Sequence, residues 1–533
     1  MSHKALYQFG YRRSPDQDRA TPARHPVVVV GAGPVGLCAA IDLAQRGIRV
    51  VLLDDADRIG EGSRGICYAK RTLEILDRLG VAQKCLAKGV TWKVGKVFQR
   101  DALLYAFDLL PEDGHEMPAF INLQQYYLEH YLVERSAELA NLDLRWRNRV
   151  CGLSRRNDGV TLTVETPDGP YRLEADWVVA ADGARSSLRR MLGLPFLGEV
   201  FEDRFLIADV KMRGDFPSER WFWFDPPFHD GRSALLHKQP DDVWRIDLQL
   251  GPEADAAEEQ KPERVIPRLR QMLGHGDFAL EWVSVYTFQC RRLERFVHGR
   301  VVFAGDSAHQ VSPFGARGAN SGIQDAENLA WKLGLVVKGE APEALIETYD
   351  LERSAAADEN IGHSTRSTDF IAPRTAQELR FRDAALTLAR RTAFAKRMVN
   401  SGRLSAPSTY DTPLSTPDRE AWSGSARLGA PVPDARLADR SGRPVWLLDA
   451  LGGEETLLHV RNGGPLPAAT DRRRLVIGED LLDGDGFFAR RFDATPGATY
   501  LVRPDQHLAA RWRRFDPEAV AAASRRLRGA FSA

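Results

Sequence analysis

Residues 1–25 are polar and rich in Arg, Asp and Pro, a composition that buries little and predicts a mobile tail. The pattern then changes abruptly. Residues 27–30 are an unbroken run of valines, as found in a strand covered on both faces. A turn at Gly31-Ala32-Gly33-Pro34 follows, and Val35, Leu37, Ala39, Ala40, Leu43 and Ala44 supply one apolar helical face. Gly47 suits the end of that helix, and residues 48–53 read as the next strand. These pieces make one βαβ unit.

From about residue 201 the pattern alternates and becomes aromatic-rich, predicting strands over 205–210, 220–224, 233–238 and 243–250. Asp241-Asp242 reads as a hairpin turn. The expectation is a mainly antiparallel sheet inserted into an α/β unit, because residues 300–304 return to a buried strand and 320–337 to a helix. Residues 376–399 are amphipathic and helical, and the Ser/Thr/Pro-rich stretch 407–417 reads as a linker. Strand-like runs at 456–460, 475–477 and 498–502 and a helix at 517–527 close the chain.

Composition narrows the class. Lys plus Arg and Asp plus Glu each total 73 of the 533 residues, so the formal net charge is zero and no nucleic-acid partner is expected. Cys38, Cys67, Cys85, Cys151 and Cys290 are scattered, with neither C-x-x-C nor metal-ligand spacing. They read as reduced thiols of a cytoplasmic protein that needs no metal. The longest uncharged apolar run, residues 26–41, holds three glycines and is shorter than the roughly 20 residues of a membrane helix. Arg12-Arg13 precedes Ser14-Pro15-Asp16-Gln17 rather than an apolar stretch, which argues against an export signal.

Three motifs bring chemistry into this frame. In Gly31-x-Gly33-x-x-Gly36, Gly31 permits a tight turn, Gly33 lets the backbone approach a pyrophosphate, and Gly36 allows close helix–strand packing. The helix start supplies unpaired N–H groups for phosphate. Asp54, 23 positions after Gly31, is placed for ribose hydroxyls. This motif by itself does not separate FAD from NAD. The second motif, residues 177–189, brings Asp182-Gly183 to a turn at the end of a buried strand. The third, residues 300–309, brings Gly305-Asp306 to a strand's carboxyl end, where open α/β sheets bind ligands. It runs on through Pro313-Phe314-Gly315-Ala316-Arg317-Gly318-Ala319-Asn320 into a helix.

In this order, the three motifs resemble those of the class A FAD-dependent aromatic hydroxylases, the group with the p-hydroxybenzoate hydroxylase fold, over residues 27–335. Arg64 in Gly62-Ser63-Arg64-Gly65, followed by Arg71-Thr72-Leu73-Glu74, resembles the family's flavin-contacting arginine segment, and Gln125 resembles its glutamine. The resemblance implies that Asp54 holds the adenosine ribose, Asp306 the ribitol chain, and Asp182 the region shared by FAD and the nicotinamide donor. Asp54 stands where many members have Glu, and Ala316-Arg317 replaces the frequent Gly-Gln. From about Leu428 the chain resembles the thioredoxin-like domain of the phenol hydroxylase and 3-(3-hydroxyphenyl)propionate hydroxylase branch, closing on Tyr500-Leu501-Val502-Arg503-Pro504-Asp505. Without C-x-x-C this domain is expected to be a scaffold or a subunit contact, a homodimer included. The implied organisation is a tail (1–25), a discontinuous Rossmann-like FAD-binding domain (26–193 and 294–372), a substrate-binding β-sheet domain (194–293), a helix and linker (373–424) and a thioredoxin-like domain (425–533).

The resemblance also implies the chemistry: NADH or NADPH reduces FAD, the flavin takes up O2 at C4a, and the resulting hydroperoxide hydroxylates a small phenolic substrate. Such a site must exclude water, stabilise negative charge near flavin N1 and hold the ring close. The N1 role falls to the N–H groups of Ala319 and Asn320, beside Gly318, and Pro313 borders the flavin. Arg245 and His237 are candidates to polarise or deprotonate a phenol, with solvent-facing strand positions as the alternative. Trp221, Phe222, Trp223 and Phe224 either wall a pocket or pack a sheet core. Trp221-x-Trp223-x-x-Pro226 also resembles the W-x-W-x-I-P motif of flavin-dependent halogenases, so a halogenase or another FAD oxidoreductase is the competing function.

Overall fold

A computed structural model describes residues 7–531 apart from 61, 63, 215, 230, 400–403 and 465–472. The valine run is the middle of a mainly parallel sheet. Strand Ala23–Val30 pairs in parallel with Val50–Leu53 on one side and Tyr171–Ala180 on the other. Leu142–Arg145 and Val301–Phe303 extend the sheet outward on the two sides. Val27, Val28 and Val29 are wholly buried, because helices Pro34–Gln45, Gln125–Ala137 and Gly318–Val337 share one apolar core with this sheet. Among the described residues no helix is long and apolar enough to cross a membrane.

A second eight-stranded sheet runs in the order His309–Gln310, Ala279–Arg292, Leu197–Lys211, Val243–Gln249, Ser233–Lys238, Arg220–Phe224, Val94–Gln99, Ala102–Asp108. The hairpin turn falls at Asp241-Asp242, both with positive φ (65° and 58°), which matches the right-handed twist of the strands it joins. This sheet also draws on strands that precede residue 194. Strands Val94–Gln99 and Ala102–Asp108, assigned from sequence to the FAD-binding domain, complete the second sheet through parallel pairing with Arg220–Phe224. Alternation sends Leu206, Trp221, Trp223, Leu236, Trp244 and Ile246 to one face, under Val265 and Leu269 of helix Pro262–Leu273. Phe205, Phe222, Phe224 and Leu235 go to the other face, against Phe314 and Leu386.

Of the expected tail, residues 1–6 lie outside the described residues, and the rest packs onto the fold. Ser14 and Gln17 form a capping box on the short helix Pro15–Asp18. Phe9 stacks on Trp146 at 4.6 Å, and Asp16 pairs with Arg145 at 2.8 Å. Buried aromatic contact and satisfied caps outweigh the polar composition. The expected helix over 376–399 is two helices, Ala376–Ala389 and Ala393–Val399.

Residues 436–512 carry a seven-stranded mixed sheet with its own apolar core. It is joined to the rest by a buried ionic seam. Arg503 reaches Glu352 (2.7 Å) and Asp505 (2.6 Å), Lys332 reaches Glu352 (2.7 Å), and Trp331 donates to Asp505 (3.0 Å). All four charged side chains are fully buried, and each has an opposite charge, the condition under which such groups are tolerated inside a protein.

Candidate functional site

The register of the first sheet aligns its carboxyl ends. Val30 lies opposite both Leu53 and Ala180, and Ala180 lies opposite Phe303. Gly31, Asp54, the Asp182 turn and Gly305-Asp306 therefore leave the sheet at one level. Gly31 has φ 105°, and a Cβ there would meet the Ala181 carbonyl oxygen at 2.4 Å. A Cβ on Gly36 would lie 1.8 Å from the Gly31 oxygen. Gly33 is different: nothing lies within 4 Å of its missing Cβ, and it caps helix Pro34–Gln45 with no side chain covering the end. Its open side faces away from the protein.

The acidic residues divide by their partners. Asp54 accepts from the Ala32 N–H (2.5 Å) and the Ala56 N–H (2.9 Å). Burial raises its pKa while those two N–H groups pull the other way. Asp54 thus pins the glycine loop. Asp182 is held by its own turn. Its carboxylate accepts from Ser186 Oγ (2.6 Å) and from the Ser187 and Leu188 N–H groups (2.7 and 3.1 Å). Its carboxylate thus takes the first N–H groups of helix Ser187–Met191, whose N-cap is Ser186, and Gly183 stands open beside it. The Asp306 carboxylate accepts no hydrogen bond from any described residue, although the Asp306 backbone oxygen accepts one from Gln310 (3.4 Å). It is exposed, yet burial raises its pKa, as befits a carboxylate standing in a deep cleft.

Gly305 turns with φ 65°, where a Cβ would meet Val35 at 2.8 Å, tying the third motif to the glycine helix. Below it, Asp325 accepts from the Gly305 N–H (2.9 Å), pairs with His309 Nε2 (2.7 Å) and takes Arg353 Nε (2.6 Å). Burial opposes the Asp325 charge, but His309 and Arg353 outweigh it and hold its pKa down. These side chains brace the motif from beneath.

Helix Gly318–Val337 also starts uncapped. Ser321 donates its first backbone bond, to the Arg317 oxygen (2.8 Å), so the N–H groups of Gly318, Ala319 and Asn320 have no partner within the helix. The Asn320 amide accepts from the Ala69 N–H (2.8 Å) and donates to the Cys67 and Ala316 oxygens (2.9 and 2.6 Å). It therefore welds strand Cys67–Ala69 to the start of this helix. Ala316 has φ 53°, a strained value for a residue with a Cβ. Pro313 is exposed between buried Ser312 and Phe314.

Arg64 is exposed, and its charge reaches both Asp306 and Tyr286; Ser63 beside it lies outside the described residues. Gln125 accepts from the Gly65 N–H (3.0 Å) and donates to Glu129 (2.7 Å), which in turn accepts from the Gly60 N–H (2.6 Å). Glu129 was missed from sequence, although it lies one helical turn beyond Gln125. Arg71 does not belong to the cleft. It is buried on Glu327 (2.6 Å), Glu74 and the Asp505 carbonyl, a strut toward the C-terminal sheet.

On the second sheet the solvent-facing alternative for His237 and Arg245 is overturned: both are buried. His237 lies opposite Arg245, which lies opposite Asp209. Arg245 is bound to Asp247 at 3.0 Å. Burial works against its charge, but Asp247 and Asp209 raise its pKa. Burial, then Arg220 and Arg245, push the His237 pKa well below the usual value, so the ring is neutral at physiological pH.

Two uncapped helix ends, an open glycine backbone and an unpartnered carboxylate at aligned strand ends fit a flavin dinucleotide. The comparisons agree. Residues 24–364 match the family described as FAD binding domain. A flavin-dependent monooxygenase of Mycobacteroides abscessus is 30% identical over 90% of this chain and 96% of its own. A 6-methylpretetramide 4-monooxygenase of Streptomyces rimosus is 32% identical over 92% and 91%. In fold, the chain is similar to the flavin-dependent monooxygenase PieE, solved with FAD and substrate, with TM-score 0.81 and 23% identity over 95% of this chain and all of that one. From cleft and kinship together, this chain belongs to the FAD-binding monooxygenases of the class A aromatic-hydroxylase family and is an enzyme.

Proposed function

We propose that the enzyme hydroxylates a phenolic ring with NADH or NADPH and O2. One observation carries this reading most directly: Asn320 joins the open helix start to Cys67, and the charges of Arg220, Arg245 and Asp247 reach Cys67. A polar row on the second sheet thus stands beside the place for the isoalloxazine ring. Bound FAD, once reduced, supplies the activation of O2 and the oxygen atom delivered to the substrate. Asp306 would take ribitol hydroxyls, the Gly33 backbone the pyrophosphate, and Asp54 the ribose. The N–H groups of Gly318, Ala319 and Asn320 would stabilise negative charge at the pyrimidine edge. Pro313 would border the ring, and Phe205, Phe222, Phe224 and Phe314 form an apolar wall that keeps water out. His237, neutral and depressed in pKa, is a weak base for a phenol; it would orient a hydroxyl by hydrogen bonding.

The relatives named for 6-methylpretetramide, for para-nitrophenol and for 3-(3-hydroxy-phenyl)propionate support an aromatic substrate. The halogenase alternative draws no support from Trp221 and Trp223, which pack on the face turned away from Phe314. We read the C-terminal sheet as a thioredoxin-like scaffold: strands Thr456–Val460 and Arg473–Ile477 pair in parallel at its centre, and none of the five cysteines lies in it. The test is NAD(P)H oxidation by the purified FAD-loaded protein alone. Phenols should stimulate it and yield products heavier by one oxygen atom. Oxidation that begins only when a separate flavin reductase is added would overturn the reading.

A further inference from the structure

The helices that follow the FAD-binding part are apolar on two sides. In Ala376–Ala389 the buried residues are Arg382, Ala385, Leu386 and Ala389, whose spacing puts them on one face. Leu386 and Ala389, with Ala395 of the neighbouring helix Ala393–Val399, join Phe222, Phe224 and Phe314 in one core. A helix with one buried face should be polar on the other. Here Phe381 (56% exposed), Ala384 and Leu388 (55%) repeat at steps of three and four residues. Beyond a tight turn, Phe394 (66%) and Met398 are also exposed. Eleven large apolar side chains are exposed among the described residues; five of them, with both of the aromatic ones, lie on these two helices. Arg390 donates to Gln99 (3.3 Å), which brings the turn beside exposed Leu103 on the edge strand of the second sheet. Large apolar groups gathered in the open mark a contact surface.

Charge decides what covers it. Residues 374–399 hold seven Arg or Lys and two acids, in a chain whose formal net charge is zero. Both acids are engaged locally: Glu378 accepts from the Arg374 and Thr375 N–H groups (2.7 and 3.0 Å), and Asp383 pairs with Arg382 (3.3 Å). Arg380, Arg391 and Arg397 are exposed, and no hydrogen bond or ion pair joins their side chains to a described residue. They interleave with the apolar positions, Arg380 beside Phe381, Arg391 three residues after Leu388, and Arg397 beside Met398. A second copy would set these cations against their own kind across a twofold contact, which repels. An anionic bilayer surface answers both features: apolar side chains enter the headgroup boundary, and the arginines meet lipid phosphates.

We propose that helices Ala376–Ala389 and Ala393–Val399 dock the enzyme on an anionic lipid surface, lying in the interface with Phe381, Leu388, Phe394 and Met398 inserted. Docking of this kind needs no spanning helix, and the described residues hold none. It goes beyond the hydroxylase reading and is measured without turnover, so either can fail alone.

The test is cosedimentation of the FAD-loaded full chain with vesicles, phosphatidylglycerol mixed with phosphatidylcholine in one set and phosphatidylcholine alone in the other. Partition should be at least about tenfold greater on the anionic set at about 0.1 M salt and should weaken at about 0.5 M. Two double variants separate the contributions. Phe381→Ser with Phe394→Ser removes the inserted rings, and Arg391→Glu with Arg397→Glu reverses two charges. Each should lower partition about tenfold or more, since a single basic residue at such a surface contributes about fivefold. The altered side chains are exposed, so FAD content and melting temperature should stay at the wild-type values; should the phenylalanine pair fail to fold, the arginine pair still decides. Absence of partition, equal partition on both sets, or arginine variants that sediment like wild type would overturn the proposal. Sedimentation velocity without lipid covers the other occupant: a dimer that Phe381→Ser with Phe394→Ser splits would assign the patch to a second copy and overturn lipid docking as well.

Discussion

Asp182 and Asp306 occupy similar places, each at a turn following a parallel strand, and their side chains do opposite work. Asp182 spends its oxygens on Ser186, Ser187 and Leu188. The Asp306 carboxylate hydrogen-bonds to none of the described residues, and burial raises its pKa. Replacing Asp306 with Ala removes no internal bond, so the apoprotein should melt at the same temperature or slightly higher. FAD affinity should fall about 10- to 100-fold, the equivalent of one charge-assisted hydrogen bond at about 1.5–3 kcal/mol. Fluorescence titration with FAD, alongside apoprotein melting curves, checks both halves. A destabilised apoprotein with unchanged FAD affinity would make Asp306 structural. Motif spacing brought both aspartates to the sheet edge, but it could not show which carboxylate would find local N–H donors. The one available signal was Ser186-Ser187 directly after the Asp182 turn, the residue types that begin helices. Likewise, nothing local showed that Arg71 is a strut, because its partners, Glu327 and Asp505, lie more than 250 residues away.

The glycine helix separates ligand geometry from packing geometry within one motif. At Gly36 a Cβ would sit 1.8 Å from the Gly31 oxygen, whereas at Gly33 it would meet nothing. Gly36→Ala should therefore push the helix off the sheet and cost stability, on the order of 2–4 kcal/mol. Gly33→Ala should leave the apoprotein's melting temperature within experimental error while sharply reducing FAD binding, because the methyl occupies the ligand's space. Denaturant melts of the two apoproteins, paired with flavin content after purification, separate the roles; equal destabilisation would refute the distinction. Elements of this kind were legible because their patterns are local. Strands Arg220–Phe224 and Ser233–Lys238 and helix Pro517–Leu527 fall where alternation or periodicity put them. Strands Val94–Gln99 and Ala102–Asp108 were not assigned to the second sheet, since their neighbour there, Arg220–Phe224, lies more than 100 residues on. Alternation reports that a face is buried and says nothing about which sheet buries it.

At the scale of the whole molecule, the C-terminal sheet docks through groups that titrate. Besides the paired seam around Glu352, it meets the FAD-binding part at an acidic cluster. Asp77, Glu116 and Asp449 hold carboxylate oxygens within 4.8 Å of one another, and Asp434 stands beside them, accepting from the Glu116 N–H at 3.1 Å. Burial and then Asp449 push Glu116 up to about 7, while burial and Asp77 push Asp449 up to about 6. A carboxyl raised in the folded state binds protons that the unfolded chain has already released, so between about pH 4.5 and 7 this cluster lowers stability as pH rises. Buried His237 and half-buried His115, whose pKa values are lowered, act in the opposite sense, so total stability against pH does not isolate the cluster. The difference between wild type and Glu116→Gln does. Below about pH 4.5 the two should melt together, because a protonated Glu and a Gln place similar groups against Asp449. As pH rises through 7 the wild type must ionise Glu116 beside Asp77 and Asp449, and the variant should become the more stable by about 1–2 kcal/mol, a value reduced because the side chain is only partly buried. Melting temperatures across that range are the measurement. Curves that stay parallel would mean the three carboxylates separate in solution and do not govern how the C-terminal sheet docks.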